Sequence, residues 1–343
     1  MPDRGDGRTA SAMAPLPDDV RVSIVIATRD RPADLRECLA GLAAQRTTRV
    51  VDVVVVDNHP ASGLTPPVVA AFPTVRLVNE PRQGLAYARN AGFLSCRGEI
   101  AVATDDDVLP PPEWLETLLQ PFINPEVMVV TGNVVAFELQ TEAQRLFEAY
   151  GGLGRGVTRK VADPHWFHGC RSAVPTWTLG ATANAAFRTV LFDDPHVGLM
   201  DEALGPGMPS GVGEDSYLLY KVLQAGGTIV YEPTAWVWHK HRRDMAALRR
   251  QIYGYSKGHV AHHLTTLLRD GDLRALVNLC VLLPAYHIRR ALRWAAGDRT
   301  YPLTLLALEV RGNLAGPWAL WQSRRRVRRE GRSRAAAPIQ VRA

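Results

Sequence analysis

Short apolar runs rich in β-branched residues recur along the first half of the chain, with stretches of helical spacing between them. VSIVIA (22–27), VVDVVVV (50–56), VRLV (75–78) and EIAVA (99–103) are too short to span a membrane and too uniformly apolar for strands with one wet face. Such runs are strands buried on both sides, as in a parallel sheet covered by helices. Between them, Leu35, Leu39 and Leu42 fall at helical spacing, and GLAYARNAGFLSC (84–96) reads as a second helix. Strand and helix in alternation predict an α/β fold, a Rossmann-like, mostly parallel sheet flanked by helices.

Where the runs stop matters more than where they begin. The first stops at Thr28-Arg29, the second at Asp57-Asn58 and the fourth at three adjacent carboxylates, Asp105, Asp106 and Asp107. In an open parallel sheet these ends share one crevice, where ligands bind. Adjacent like charges raise one another's pKa, and a hard divalent cation with oxygen ligands removes that repulsion. Two readings follow: a metal site at the end of a central strand, or a solvated acidic turn ahead of a helix. No GxGxxG follows the first run and no GxxxxGK[ST] occurs. A dinucleotide fingerprint and a P-loop are therefore both missing, and a pyrophosphate would need a metal and arginines instead.

A second acidic signal lies in GPGMPSGVGEDSYLLY (205–220), where a glycine-rich stretch delivers Glu214-Asp215 to the start of an amphipathic helix. It reads either as an acidic helix start favoured by the dipole or as a general base on a loop open to close approach. Two short strands are expected at 227–231 and 234–238, the latter running into His239-Lys240-His241. A histidine at a strand end completes a carboxylate metal site, or is simply solvated. Residues 127–137 read as a strand or strand pair broken at Gly132-Asn133. The stretch 151–175 reads as a long loop that shapes a binding site, with His165 and His168 in it, and 177–187 as a close-packed wall of the site.

The formal charge of +6 hides an asymmetry. Residues 1–238 carry 19 Lys and Arg against 28 Asp and Glu, and residues 239–343 carry 21 against 6. A basic end of this strength suggests an anionic partner. Residues 245–268 and 273–294 read as helices, the second with an apolar centre and Arg289 and Arg290 beyond it. Residues 316–334 end in Arg324, Arg325, Arg326, Arg328, Arg329, Arg332 and Arg334. The expectation is an interfacial helical appendage on an anionic membrane surface, with a solvated basic tail as the plainer reading. No aromatic platform accompanies the charge, which argues against nucleic acid. The cysteines, Cys38, Cys96, Cys170 and Cys280, show no CxxC spacing and fit a reducing compartment. The organisation expected is a disordered lead-in over 1–20, a catalytic domain over 21–243, a helical basic region over 244–334 and a disordered tail over 335–343. The location expected is cytoplasmic, at the inner face of the cell membrane.

Several ordered blocks, VSIVIATRDRP, VVVVDN, GLAYARNAG, ATDDDVLPPPEWL, GATANAAFR, GEDSYLLYKVLQAGG and EPTAWVWHKHR, together resemble the family 2 glycosyltransferases, which have the GT-A fold. That resemblance implies an inverting transfer from a nucleotide-diphospho-sugar donor to an acceptor hydroxyl. By it, Thr28, Arg31 and Asp57 are nucleotide contacts, with Asp57 at the base, and Arg89 or Asn90 lies near the diphosphate. Asp105 and Asp107 form the DxD pair that holds Mg²⁺ or Mn²⁺, with Asp106 beside the donor. Asp215, in its pair with Glu214, is the general base, and His239 is a further metal or phosphate ligand, with His241 as the alternative. The stretch Ala27-Thr28-Arg29-Asp30 departs from the family's common Pro-Thr-Tyr-Asn. Competing readings are a nucleotidyltransferase, which would carry a glycine-rich activating loop with a lysine near the N-terminus, and an inactive binding module of the same fold.

Overall fold

The computed structural model describes residues 16–333, so the tail over 335–343, Arg334 and most of the lead-in lie outside the described residues. Nine strands form one sheet: β1 (Val22–Thr28), β2 (Val51–Asp57), β3 (Val75–Asn79), β4 (Ile100–Asp105), β5 (Val108–Leu109), β6 (Val127–Ala136), β7 (Lys160–Ala162), β8 (Asn184–Arg188) and β9 (Thr228–His239). Their order is β3-β2-β1-β4-β8-β6-β9-β5, with β7 also on β9. The β3-β2-β1-β4 half is wholly parallel. Beyond β4 the sheet is mixed: β8 runs antiparallel to both β4 and β6, while β6 and β9 are parallel.

The uniform apolarity of the first runs has a direct cause. In β1, Ile24 and Ile26 face one core with Leu35, Leu39, Leu115 and Leu118 of the helices Pro32–Ala43 and Trp114–Leu119. Val25 and Ala27 face the other, with Phe93 and Tyr217 of the helices Leu85–Leu94 and Glu214–Gln224. Alternate side chains point to opposite faces and both faces are covered.

Two expectations change. The pair of strands at 227–231 and 234–238 is one strand, β9, which bulges at Pro233–Ala235: Gly132 pairs with Glu232, and Asn133 with Trp236. A proline cannot donate to a ladder and is accommodated at a bulge. The partner strand β6 is likewise continuous, and the bulge packs so closely on it that a Cβ at Gly132 would overlap the Ala235 carbonyl and the Asn184 side chain. The stretch 151–175 is not all loop, since it contains β7 and the short helix Pro164–Gly169, capped by Asp163.

After β9 come three main helices, Met245–Asp270, Leu283–Ala295 and Leu303–Glu330. Leu303–Glu330 lies along Met245–Asp270, and Gly312 and Gly316 allow close approach to Ser256 and Val260. Ala261 and Leu320 enter the sheet's own core. The end of this helix returns to the parallel half. Arg326 donates to the carbonyls of Gln83 (2.7 Å) and Gly207 (3.0 Å), Tyr87 donates to the Gly331 carbonyl at 2.9 Å, and Ser333 N–H donates to Glu202 at 2.8 Å. Residues 324–330 are therefore helical, with Val327 buried. At the other end, Leu16 is buried and its carbonyl accepts from Arg49.

Candidate active site

Sheet register builds one end of the site. Thr28 pairs with Asp57 on one side, and Ala27 with Asp105 on the other, so three strand ends lie level. The chain then turns through Asp106 and Asp107 into β5, whose Val108 pairs with His239 at the end of β9. Lys240 N–H donates to the Asp107 carbonyl at 3.1 Å. This two-residue strand brings a histidine more than a hundred residues away against the acidic turn.

The three carboxylates have different partners. Asp106 accepts from Thr28 Oγ1 at 2.8 Å and from Arg31 at 3.0 Å. Asp107 accepts from Arg31 at 2.7 Å and faces His239 Nε2 at 3.3 Å. Asp105 accepts from Arg89 Nη2 at 2.5 Å. Burial, reinforced by the Asp107 charge, pushes Asp106 up to about 6. Asp107 is equally buried, but His239 and Arg31 outweigh that and hold it below the usual carboxylate range. Burial opposes charge on His239, and Asp107 overcomes it and raises its pKa. Asp105, Asp107 and His239 each offer one ligand atom, all within 4.8 Å of one another. Two carboxylate oxygens and an imidazole nitrogen suit a divalent cation such as Mg²⁺ or Mn²⁺.

Arg89 links this cluster to the second one. Its guanidinium bonds Asp105 and Thr182 and lies 3.5 Å from Glu214 Oε1. Glu214 also accepts from Gly213 N–H at 2.9 Å. Burial, with Asp215 next door, pushes Glu214 up to about 8. Asp215 is half-buried and lines the cleft. Its charge is felt by Arg155 and by Tyr255, whose hydroxyl burial pushes up to about 12. The two acids thus divide: Glu214 is buried and structural in its contacts, while Asp215 faces open space.

One cleft of roughly 1360 Å³ holds these groups together, lined by Thr28, Arg31, Arg89 and Asp105 to Asp107 at one end and by Asp215 further along. Asn90 is not brought to it. Its side chain is fully buried and bonds the Met200 backbone and Glu202, because it lies on the inner face of its helix. Asp57 is also buried. One oxygen accepts from His59 N–H, Oδ2 has no partner among the described residues, and Asp57 does not line the cleft, which its neighbour Asn58 reaches instead. His241 stands behind His239, away from the cluster, and His165 and His168 do not line the cleft. Arg155 and Trp177 lie in the two stretches expected to shape the site and do line the cleft, but sequence reasoning missed Tyr255, His259 and Asn278, which complete its far wall. No local motif announces them, because their convergence depends on how the helices after β9 fold back.

Comparison with known proteins gives consistent results. A family model described as glycosyl transferase family 2 matches residues 23–184. The pre-mycofactocin glycosyltransferase of Mycobacterium tuberculosis is 30% identical over 315 residues, covering 85% of this chain and 61% of that protein. The chain thus spans about three fifths of that relative's length. The succinoglycan biosynthesis protein ExoM of Rhizobium meliloti is 24% identical, over 71% of this chain and 75% of that one. Among solved structures, the mannosyltransferase PcManGT from Pyrobaculum calidifontis, in complex with GDP-Man and Mn2+, has a TM-score of 0.58 at 18% identity, covering 90% and 91% of the two chains.

Proposed function

Because the chain belongs to glycosyl transferase family 2 and has the GT-A fold, we propose that it moves a sugar from a nucleotide-diphospho-sugar to an acceptor hydroxyl with inversion. The observation that carries this is the single cleft: the Asp105, Asp107 and His239 cluster is at one end, Asp215 lies further along, and Arg89 reaches from Asp105 to Glu214 beside it. A divalent cation on Asp105, Asp107 and His239 would neutralise the departing diphosphate as a Lewis acid, and the structural neighbour was solved with Mn2+ and GDP-Man. Thr28 and Arg31 hold Asp106 and Asp107 in place. Arg89 carries positive charge toward the diphosphate. Asp215 takes the proton of the acceptor hydroxyl as it attacks the anomeric carbon in line. Glu214, kept neutral, anchors Arg89 without competing for that proton.

The acceptor occupies the far end, among Trp177, Tyr255, His259 and Asn278. No helix among the described residues is long and apolar enough to cross a membrane. Exposed Leu273, Val277, Val281, Ile288 and Leu292 recur at helical spacing, and Leu314, Trp318 and Trp321 do so on Leu303–Glu330. With exposed Arg289, Arg293, Arg325 and Arg328 beside them, they support a peripheral site on an anionic membrane surface at the cytoplasmic face. The test is Mn²⁺-dependent hydrolysis and transfer across a panel of nucleotide sugars. Asp107→Ala should abolish both reactions. Asp215→Ala should lower transfer by about 10²–10⁴-fold while donor binding persists, and transfer at the wild-type rate would refute the base assignment.

A further inference from the structure

Behind His239 lies a hydrogen-bonded chain that the transfer reaction does not use directly. His239 Nδ1 faces His241 Nδ1 at 3.1 Å, and His241 Nε2 meets Glu148 Oε1 at 2.7 Å. His241 is 5% exposed, with the Phe147 ring edge-on at 4.8 Å. Glu148 sits in the last turn of the helix Glu142–Tyr150, which a Thr141–Gln144 capping box fixes at its start. The helix ends at Gly151 and Gly152. Gly152 has φ +50°, and a Cβ there would come within 2.5 Å of the Glu148 carboxylate. The chain reversal is therefore shaped around that carboxylate.

With a cation on the cluster, the hydrogen bonds of this chain require one arrangement of protons. A carboxylate only accepts, so His241 Nε2 carries the hydrogen that bonds Glu148. A neutral His241 then has its lone pair on Nδ1. Two facing nitrogens need one hydrogen between them, so His239 Nδ1 supplies it. His239 Nε2, 3.3 Å from Asp107 Oδ1, would then exchange the hydrogen it shares with that carboxylate for a cation and offer the cation its lone pair.

We infer that Glu148 and His241 are positioning residues that lock His239 in the tautomer and orientation of a cation ligand. This rests on the reading of Asp105, Asp107 and His239 as the cation site. Outer partners of this kind set ring orientation and basicity, and losing one costs 10–100-fold in metal affinity in general.

The test titrates the full chain with Mn²⁺ alone, following loss of the free-ion EPR signal. His239→Ala is the reference. Glu148→Ala and His241→Phe, the latter keeping the ring against Phe147, should each weaken Mn²⁺ binding about 10–100-fold. Glu148→Gln, whose amide oxygen still accepts, should stay near wild type. Wild-type Mn²⁺ affinity in His239→Ala would overturn the cation-site reading itself. Loss in His239→Ala with wild-type affinity in Glu148→Ala would overturn this inference and leave that reading standing. Glu148 is at the protein rim, so its variant reports even if His241→Phe fails to fold.

Discussion

Glu214→Gln should remove a pH dependence from the stability of the fold. The Glu214 carboxyl stands at about 8 in the folded chain, against 4.5 for a solvated glutamate, because it is buried and Asp215 adjoins it. A raised acid pKa means that the folded state keeps a proton the unfolded chain has already released. Stability from this group is therefore full below pH 4.5 and is lost as pH rises toward 8. Over the roughly 2.5 pH units between 4.5 and 7, at about 1.36 kcal/mol each, the loss is on the order of 3 kcal/mol. Glutamine matches the neutral acid in shape, and its amide oxygen can still accept from Gly213 N–H, the 2.9 Å bond in the native chain. Urea unfolding of both proteins at pH 5, 6, 7 and 8 isolates the effect, because every other titrating group cancels in the difference. The stability of wild type relative to the variant should fall steadily across that range. A constant difference would mean that Glu214 is ionised in the fold and paired with Arg89, and the division of labour between Glu214 and Asp215 would fail.

Gly132→Ala should destabilise the protein by about 3 kcal/mol, the upper end of overpacking, seen as a lower melting temperature. The new methyl would meet the Ala235 carbonyl, which belongs to the bulge that aims β9 at the site; unchanged melting would show that the bulge yields freely. Ile288→Asp with Leu292→Asp should release the protein from phosphatidylglycerol vesicles in a sedimentation assay without lowering its melting temperature, since both side chains are exposed. Retention on the vesicles would refute the membrane surface. Deleting the whole helical region is a poorer test, because Leu305, Ala319 and Leu320 are buried and would be lost with it.

That Asp105 to Asp107 and Asp215 would face one cleft was legible because both placements follow from local rules. A buried strand that empties into Asp105 to Asp107, and a glycine-rich stretch that delivers Asp215 to a helix start, are visible within about ten residues. The parallel half of the sheet was legible for the same reason. Pro233 misled, since a proline normally ends a strand and here sits in a bulge within one. Asn90 was placed by its neighbourhood with Arg89, yet adjacent helical residues point about 100° apart, so one reaches the cleft and the other the core. Glu148 was illegible. It bonds a histidine 93 positions later, and nothing in RLFEAY marks it. Leu303–Glu330 was read through its arginines, while the small residues Gly312 and Gly316 that seat it carried the structural information.

The return of Arg326 and Gly331 to Gln83 and Tyr87 sets an order on assembly. During synthesis the loops around residue 83 leave the ribosome some 240 residues before their fastening does. The nascent sheet can form early, but the Gly84 and Gly207 side of the cleft stays unclasped until translation has passed residue 331. A fusion partner or tag attached just beyond that point would pull on the buckle itself.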